Sequence, residues 1–229
     1  MNKGKIAGVT MDSELLIVGG GPAGLLSAIS SAKKRIEVKL FESKNAIGEH
    51  EHCAGLLSIE GLKKIGLSRL PDEVIQNRKV RGALIYSESG EELCVAKQSS
   101  HAYVVNRSNF DRHLATLAED KGVRIVLDSR IKYVRRTENS ILLQLGKKQN
   151  HEQISGKVVI LAEGRYPHLN SQIKLPTPSR NKIVFASQHI VEGVNDLNEE
   201  YVELYLTQKY APGFFAWVIP LDDQIARIG

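Results

Sequence analysis

Residues 15–24 read Leu-Leu-Ile-Val-Gly-Gly-Gly-Pro-Ala-Gly, an apolar and β-branched run that stops at a cluster of glycines. A stretch of small residues typical of a helix follows, and a second apolar stretch, 36–41, ends on Glu42. This order of patterns predicts a βαβ unit, in which two parallel strands flank a helix. The turn after the first strand carries the Gly-x-Gly-x-x-Gly spacing, with its glycines at Gly19, Gly21 and Gly24.

The three glycines and the acid have separate tasks in a turn of this kind. Gly19 permits the tight turn, Gly21 lets the backbone approach a pyrophosphate, and Gly24 lets the helix pack against the strand. The start of the helix adds N–H groups and the positive end of the helix dipole, both of which favour phosphate. Glu42 lies 23 residues after Gly19, where a carboxylate accepts hydrogen bonds from a ribose 2′-hydroxyl. The stretch therefore predicts a dinucleotide site, and the alternative is an ordinary strand–turn–helix corner.

The composition is that of an ordinary globular protein, with 42% apolar and 25% charged residues in a chain of 229. Its two cysteines, Cys53 and Cys94, argue against a disulfide framework and favour a reducing, cytoplasmic location. The pattern contains neither a secretory signal nor a bilayer-spanning stretch, and residues 1–12 are predicted to form a disordered tail. The net charge of +5 is scattered, without the basic–aromatic interleaving or ligand spacing that would predict a nucleic-acid partner or a metal.

The segment after Glu42 departs from the helix–strand alternation of a plain nicotinamide dehydrogenase. An apolar strand at 157–164 returns to the core only after many insertions, and it ends at Glu163 and Gly164. The predicted elements that intervene are a loop at 43–57, a helix at 58–65, a hairpin at 79–86 and 91–96, a strand at 103–105, a helix capped by Ser108, a buried strand at 123–127, and an antiparallel meander at 131–135, 140–145 and 153–156.

This layout is typical of flavoproteins, in which insertions build a substrate side on a Rossmann-like base. We therefore predict an α/β fold with a Rossmann-like FAD-binding domain at 13–175, whose hairpin region at 71–100 contributes to the substrate side. Prolines mark an exposed linker after the returning strand, and the β-rich pattern that follows predicts a partial substrate domain at 176–229.

Several segments, in order along the chain, resemble the geranylgeranyl reductase family, which includes the archaeal digeranylgeranylglycerophospholipid reductases. These are FAD enzymes of the p-hydroxybenzoate hydroxylase-like fold group. The resemblance covers about residues 13–229. The segments that carry it are the glycine turn at 19–24, the acid Glu42, the loop Cys53-Ala54-Gly55, the YVVNRSNFD segment at 103–111, the strand end at 159–164 and the PGFFAWVIP segment at 212–220.

The resemblance also implies roles for individual residues. It implies that Cys53 is catalytic, in a loop that reaches the isoalloxazine ring, where a thiol tunes the flavin or donates a proton. The alternative for Cys53 is a small buried apolar residue. Ile131 is implied to contact the adenine end of the cofactor through its backbone. The residues implied to contact FAD are Gly19, Gly21, Pro22, Ala23, Gly24, Glu42, Cys53, Ala54, Gly55, Arg107, Ile131, Glu163 and Gly164.

The aromatic segment at 212–220 implies the class of substrate. The corresponding segment of the family lines an isoprenoid cavity, so the resemblance assigns Phe215, Trp217 and Pro220 to the substrate side. Flat apolar walls suit a polyprenyl chain, because burial of apolar surface contributes about 25 cal/mol per Å². From its pattern alone, the same segment is an ordinary strand with Trp217 in the core.

The predicted function is FAD-dependent reduction of C=C bonds in geranylgeranyl chains of isoprenoid lipids or their precursors. The sequence leaves the electron donor open between NAD(P)H, ferredoxin and another flavoprotein. A redox partner protein is one expectation, and peripheral contact with the inner face of the membrane is another. One alternative is a monooxygenase of the aromatic-hydroxylase type. The other is a truncated, non-catalytic module that binds FAD or lipid, because Gly229 precedes the Gly-Asp-Ala-Ala segment of the family.

Overall fold

The fold is taken from a computed structural model, which describes residues 12–49, 53–146, 153–165, 167–177, 179 and 182–229. Residues 1–11 of the predicted tail lie outside these ranges. Along the described residues, the helices and strands follow in this order: β1 (Ser13–Val18), α1 (Pro22–Ala32), β2 (Val38–Phe41), β3 (Leu56–Ser58), α2 (Ile59–Lys64), a 3₁₀ turn (Asp72–Val74), β4 (Ile75–Asn77), β5 (Gly82–Tyr86), β6 (Glu92–Ala96), β7 (Ala102–Val105), α3 (Arg107–Glu119), β8 (Arg124–Val126), β9 (Ile131–Arg136), β10 (Ile141–Leu145), β11 (Gln153–Leu161), α4 (Leu169–Gln172), β12 (His189–Glu192), β13 (Tyr201–Tyr205), β14 (Ala216–Pro220) and β15 (Ile225–Ile228).

Two compact units make up the chain, and each combines two separate stretches of sequence. The first contains Met1–His50 and Asp111–Ser179, and the second contains Glu51–Phe110 and Arg180–Gly229. The FAD-binding domain predicted at 13–175, with its hairpin region at 71–100 on the substrate side, does not coincide with either unit. The structure differs because β5 pairs in parallel with β13, so the stretch before residue 111 shares a sheet with the C-terminal strands.

The first unit is built on a six-stranded sheet in the order β8-β2-β1-β11-β10-β9. Strand β1 pairs in parallel with β2 on one side and with β11 on the other, and β2 pairs in parallel with β8. This arrangement confirms the predicted βαβ unit. Because parallel strands end at the same edge of a sheet, the segments after β1, β2 and β11 come together there.

Strand β11 carries two pairing patterns along its nine residues. Its first part is antiparallel to β10, and from Gly156 onward it runs parallel to β1. The prediction of two separate strands, at 153–156 and 157–164, was therefore wrong. Gly156 marks the change, where a Cβ would lie 2.8 Å from the side chain of Leu16, so the absent side chain permits close approach.

Asp12, just before the first strand, is hydrogen-bonded to the sheet, which the sequence did not predict. The backbone N–H of Asp12 donates to the Ser155 carbonyl at 3.0 Å, and the Ser155 N–H donates to the Asp12 carboxylate at 2.9 Å. Asp12, which was predicted to belong to the disordered tail, is thus an ordered part of the first unit. Apolar side chains from both faces of the strands form its core: Leu16, Val18, Phe41, Ile131, Val134, Leu143, Leu145, Ile154 and Leu169.

The second unit contains a six-stranded sheet, β12-β15-β14-β13-β5-β6, and a three-stranded sheet, β3-β7-β4. The pairs of the larger sheet are antiparallel except for the parallel pair of β13 and β5. The core of this unit is formed by Val80, Ala102, Val104, Val202, Ile219 and Leu221. Within the predicted β-rich domain at 176–229, the described strands are β12, β13, β14 and β15.

The helix caps of this unit follow simple chemistry. Ser58 Oγ accepts a hydrogen bond from the Gly61 N–H at 3.2 Å and caps α2, which confirms the predicted helix there. Helix α3 begins two residues earlier than a cap at Ser108 predicts, because Asn106 Oδ1 accepts from the Asn109 N–H at 2.8 Å. Asn106, and not Ser108, is therefore the N-cap, as expected for an amide oxygen placed three residues before an unpaired helix N–H.

Candidate functional site

The glycine turn between β1 and α1 is shaped by backbone contacts that exclude side chains. Gly19 has φ +111°, and a Cβ there would overlap the carbonyl oxygen of Ala162. A Cβ at Gly24 would overlap the carbonyl oxygen of Gly19, so only glycine lets the helix lie this close to the turn. At Gly21, in contrast, a Cβ would meet no atom within 4 Å. The glycine predicted to face a pyrophosphate is thus the one that borders open space.

At the start of helix α1, the N-cap residue provides no side-chain hydrogen bond to the first turn. Gly21 is the N-cap and makes no side-chain capping bond, Pro22 is the first helical residue, and the first turn carries no acidic residue. The first N–H groups of a helix lack intrahelical partners, and the dipole places partial positive charge there. This end of the helix is therefore prepared for an anion.

A cleft of about 370 Å³ opens at this end of the first unit. It contains residues from the glycine turn, from the segment after β11 and from the start of α4. Five of the predicted cofactor residues line the cleft together, although they come from two segments that are far apart in the sequence. The residues that line the cleft are Gly21, Pro22, Ala23, Leu161, Ala162, Glu163, Gly164, Pro167 and Asn170.

Glu42 is held against the glycine turn by backbone donors. Its Oε2 accepts from the Gly20 N–H at 2.6 Å, and its Oε1 accepts from the Lys44 N–H at 2.9 Å and from the Ser43 hydroxyl at 3.1 Å. The side chain is only partly buried. Because each carboxylate oxygen accepts more than one hydrogen bond, Glu42 is oriented and still able to receive a ribose hydroxyl.

The segment that leads into Ile131, the first residue of β9, is hydrogen-bonded to the backbone of Glu42. The N–H of Ser129 donates to the Glu42 carbonyl at 2.7 Å, and the Glu42 N–H donates to the Val126 carbonyl at 2.9 Å. The side chain of Ile131 itself is buried in the core of the first unit. Its predicted contact to the adenine end through the backbone remains a prediction.

Glu163 has a structural engagement that the sequence did not indicate. Its carboxylate accepts hydrogen bonds from the N–H groups of His168 and Leu169, each at 3.0 Å. It thereby caps the short helix α4 while lining the cleft. Gly164 next to it has φ +78°, and a Cβ there would meet no atom within 4 Å, so the strand end at Gly164 borders open space as Gly21 does.

The predicted cysteine loop lies in the second unit and is fixed through its backbone. The Cys53 carbonyl accepts from the Gln188 amide at 3.1 Å, and the Gly55 carbonyl accepts from the Val105 N–H at 2.9 Å. Gly55 has φ +80°, and a Cβ there would overlap the carbonyl oxygen of Val105. Cys53 forms no disulfide and is only partly buried. Its catalytic role and the alternative of a small buried apolar residue both remain predictions.

A buried arginine that the sequence analysis missed completes this loop. Arg227, 1% exposed, donates from Nη1 to the Ala54 carbonyl at 2.5 Å and from Nη2 to Gln76 Oε1 at 3.1 Å. Its strand reads Ile225-Ala226-Arg227-Ile228, and alternation places Arg227 on the same face as the core residue Ile225. A charge at an inward position of an apolar strand was the signal that could have identified it.

Arg107 is the first residue of α3, and its guanidinium lies 5.9 Å from the ring of Phe110, one turn further along. The predicted contact of Arg107 to FAD remains a prediction.

The aromatic segment forms one cluster and one buried corner. The rings of Phe214 and Phe215 stack with centroids 4.3 Å apart, and Phe215 meets Trp217 edge-on at 6.0 Å. The indole Nε1 of Trp217 is buried without a hydrogen-bond partner within the described residues. Pro220 points to the opposite face of the strand from Trp217 and is fully buried, so its predicted place on an open substrate wall does not fit its burial.

The neighbouring strand adds a neutral phenol to the aromatic region. Tyr205 pairs with Ala216, stacks on Tyr86 at 4.9 Å and donates its hydroxyl to Glu203 at 2.5 Å. Burial, together with the Glu203 carboxylate, raises the pKa of Tyr205 well above its ordinary value. The phenol therefore stays protonated and uncharged at neutral pH.

Two further observations bear on the class of site. Within the described ranges, His, Cys, Asp and Glu form no group of three that could hold a metal ion, and His50 and His52 lie outside those ranges. None of the helices in the part of the chain that the structure describes is long and apolar enough to cross a bilayer.

Comparison with known proteins agrees with the resemblance seen in the sequence. Digeranylgeranylglycerophospholipid reductase 1 of Methanosphaera stadtmanae is 24% identical over 221 residues, which cover 96% of this chain and 54% of the relative. The protein of the same name from Methanococcoides burtonii is 32% identical over 234 residues, covering 94% and 53%. The chain thus spans about half the length of these curated relatives.

A solved structure and a family model place the fold. The crystal structure of a geranylgeranyl bacteriochlorophyll reductase-like protein from Thermoplasma acidophilum superposes with a TM-score of 0.82 at 25% identity, covering 94% of this chain and 55% of that one. The predicted α/β, Rossmann-like fold is thereby confirmed. The family model described as FAD dependent oxidoreductase matches residues 14–164, from β1 through β11 and the segment after it that contains Gly164. Because that match extends over well more than half of the chain, this protein belongs to the FAD-dependent oxidoreductase family.

Proposed function

We propose that this chain is the FAD-binding part of an enzyme that reduces C=C bonds of geranylgeranyl chains in isoprenoid lipids or their precursors. The observation that carries the proposal is the uncapped, acid-free start of α1, which faces an open cleft beside Gly21. The names of the curated relatives support the choice of substrate, because they act as digeranylgeranylglycerophospholipid reductases.

The residues of the first unit fit the dinucleotide half of FAD. The N–H groups at the start of α1 bind pyrophosphate, the absent side chain of Gly21 lets the phosphates approach, and Glu42 accepts the ribose hydroxyls. FAD, once reduced, supplies a hydride, and the protein supplies orientation, a proton and the exclusion of water. We assign the proton, or the tuning of the flavin, to the partly exposed thiol of Cys53.

The aromatic cluster of the second unit supplies an apolar surface for the substrate. The ring of Phe215, just before β14, meets the ring of Trp217 edge-on. Such surfaces suit a methyl-branched chain because burial contributes about 25 cal/mol per Å². A lipid substrate implies peripheral contact with the membrane, so we propose a cytoplasmic enzyme that works at the inner membrane face. NAD(P)H, or ferredoxin as a redox partner protein, is the proposed electron source.

The first experiment is a visible absorbance spectrum of the purified chain after addition of FAD and desalting. Retained flavin bands support the cofactor assignment, and a colourless chain supports the alternative of a non-catalytic module.

The flavin complex is then reduced chemically and given a geranylgeranyl lipid, and mass spectrometry measures the uptake of hydrogen by the lipid. Cys53→Ala is expected to keep FAD and lose turnover. Reduction with NAD(P)H or with ferredoxin then distinguishes the donors, and flavin retention without any lipid reduction contradicts the proposed substrate.

Glu42→Gln is expected to weaken FAD binding about tenfold to a hundredfold, because a hydrogen bond to a charged group contributes about 1.5–3 kcal/mol. The carboxylate of Glu42 accepts hydrogen bonds from the N–H groups of Gly20 and Lys44. A glutamine amide would place its own N–H groups against these two donors. The dissociation constant is measured from quenching of flavin fluorescence. The matched control is Glu49→Gln, which changes an exposed acid of the same unit. Equal affinities for the two variants would contradict the role of Glu42.

A further inference from the structure

Strand β6 forms one edge of the larger sheet of the second unit, and it carries an apolar stripe that faces solvent. All five of its residues, Glu92 to Ala96, are exposed, and the side chains of Leu93 and Val95 are 60% and 55% exposed. Its one neighbour among the described strands is β5. Edge strands are usually protected by lysine, proline or a bulge, and β6 contains no lysine or proline and pairs with β5 in unbroken register.

The hydrogen-bond pattern shows which backbone groups of β6 point outward. The Ser87 N–H donates to the Glu91 carbonyl, and the Lys97 N–H donates to the Arg81 carbonyl. In an antiparallel pair the bonds to one neighbour alternate along the strand. Residues 91, 93, 95 and 97 therefore bond to the β5 side. The N–H and C=O groups of 92, 94 and 96 face outward.

This edge is complementary to a second copy of itself. Two β6 strands that pair antiparallel with Cys94 opposite the partner's Cys94 bring the outward-facing groups of 92, 94 and 96 together. The same register places Leu93 opposite the partner's Val95 on one face. It also places Glu91 opposite the partner's Lys97, twice by symmetry. Opposite charges across such a pair are favourable, whereas like charges are not.

We propose that β6 is the dimerisation edge of this protein, joining two copies through an antiparallel pair centred on Cys94. The opposite charges of Glu91 and Lys97, on either side of an apolar centre, favour this pairing, which does not depend on the proposed function. Both charged side chains are exposed. The contacts that each now makes, Glu91 with the Ser89 hydroxyl and Lys97 with His101, are long at 3.3 Å and would be exchanged for the pair with the partner. Because the same surface is used on both copies, the interface is isologous and closes at two chains.

Charge reversal tests the register. Sedimentation velocity over a concentration series of the full chain, in reducing buffer, is expected to show a monomer–dimer equilibrium. Lys97→Glu is expected to weaken the dimer about tenfold, which is 1.4 kcal/mol, because both symmetric pairs become repulsive. Glu91→Lys is expected to do the same, and the double variant is expected to restore dimerisation. Lys121→Glu, on an exposed residue of the first unit, is the matched control and should leave the equilibrium unchanged.

Disulfide trapping tests the centre of the pair. Residues opposite each other at a hydrogen-bonded position have Cα atoms about 5.5 Å apart, a separation that a disulfide spans. Mild oxidation is expected to produce a covalent dimer from the wild type and from Cys53→Ser, but not from Cys94→Ser. Circular dichroism of each variant checks that it is folded. A chain that remains monomeric at every concentration overturns the proposal. Oligomers that grow beyond the dimer and are not cross-linked through Cys94 also overturn the proposal, because they indicate that β6 pairs with another edge such as β12.

Discussion

Gly24→Val is expected to destabilise the protein by about 3 kcal/mol or more, the upper end of the range for an overpacked interior. The reason is that a Cβ at this position would overlap the carbonyl oxygen of Gly19, which is backbone and cannot rotate away. Helix α1 would have to move off β1, and with it the N–H groups proposed to bind pyrophosphate. The expected measurements are a lower midpoint in urea denaturation and loss of flavin retention.

Two other glycines separate the effect on the fold from the effect on the ligand. Gly61→Ala, in α2, would place its Cβ at an ordinary 3.5 Å from Ser58, so the urea midpoint should not fall. Gly21→Ala would meet no protein atom within 4 Å, so it should leave the midpoint unchanged and still weaken flavin binding. A Gly24→Val protein as stable as the wild type would show that the helix does not depend on this contact.

Arg227→Met is the second change with a large expected effect. It removes the donors to the Ala54 carbonyl and to Gln76 at a position that is 1% exposed. Two partly buried acceptors then lose their donor, and the loss of a hydrogen bond to a charged group costs about 1.5–3 kcal/mol, so we expect the free energy of unfolding to fall by about 2–4 kcal/mol. Methionine keeps much of the apolar volume, which makes the loss of hydrogen bonds the main cause.

The Cys53 loop provides a second way to measure the role of Arg227. If Arg227 holds this loop through Ala54, replacing Arg227 should increase the rate at which the Cys53 thiol is alkylated under native conditions. Mass spectrometry measures this rate. Arg227→Lys should recover part of the stability, because an ammonium still donates. Arg124→Met, on an exposed residue of β8, is the control and should change stability by less than about 0.5 kcal/mol. An unchanged alkylation rate in Arg227→Met would show that the arginine does not position the loop.

The part of the site that local sequence determines was predictable. The spacing of Gly19, Gly21 and Gly24 identified the turn. Gly19 and Gly24 meet short-range backbone requirements that no other residue meets, whereas Gly21 borders open space. Glu42 was predictable as well, since the end of a second parallel strand must lie beside the end of the first. The structure places all four around one edge of the sheet.

The contacts that depend on distant residues were not predictable in this way. Arg227 holds a loop 173 residues earlier in the chain, and no local pattern indicates such a partner. Pro220 was assigned to the substrate wall by its neighbours in sequence, although strand alternation turns it to the other face and buries it. The cap of α3 was misplaced because Asn106 and Ser108 are both good N-cap residues, and the hydrogen bond to Asn109 decides between them.

The long separation between β1 and β11 has a consequence for how the chain is made. Lys157 in β11 and its ion-pair partner Glu14 in β1 are 143 residues apart. A ribosome adds about 5–20 residues per second, so β1 emerges many seconds before its central partner exists. During that interval β1 can pair only with β2, and its other edge has no partner. We expect nascent chains that stop before residue 153 to bind chaperones, and chains that extend past Leu161 to be released.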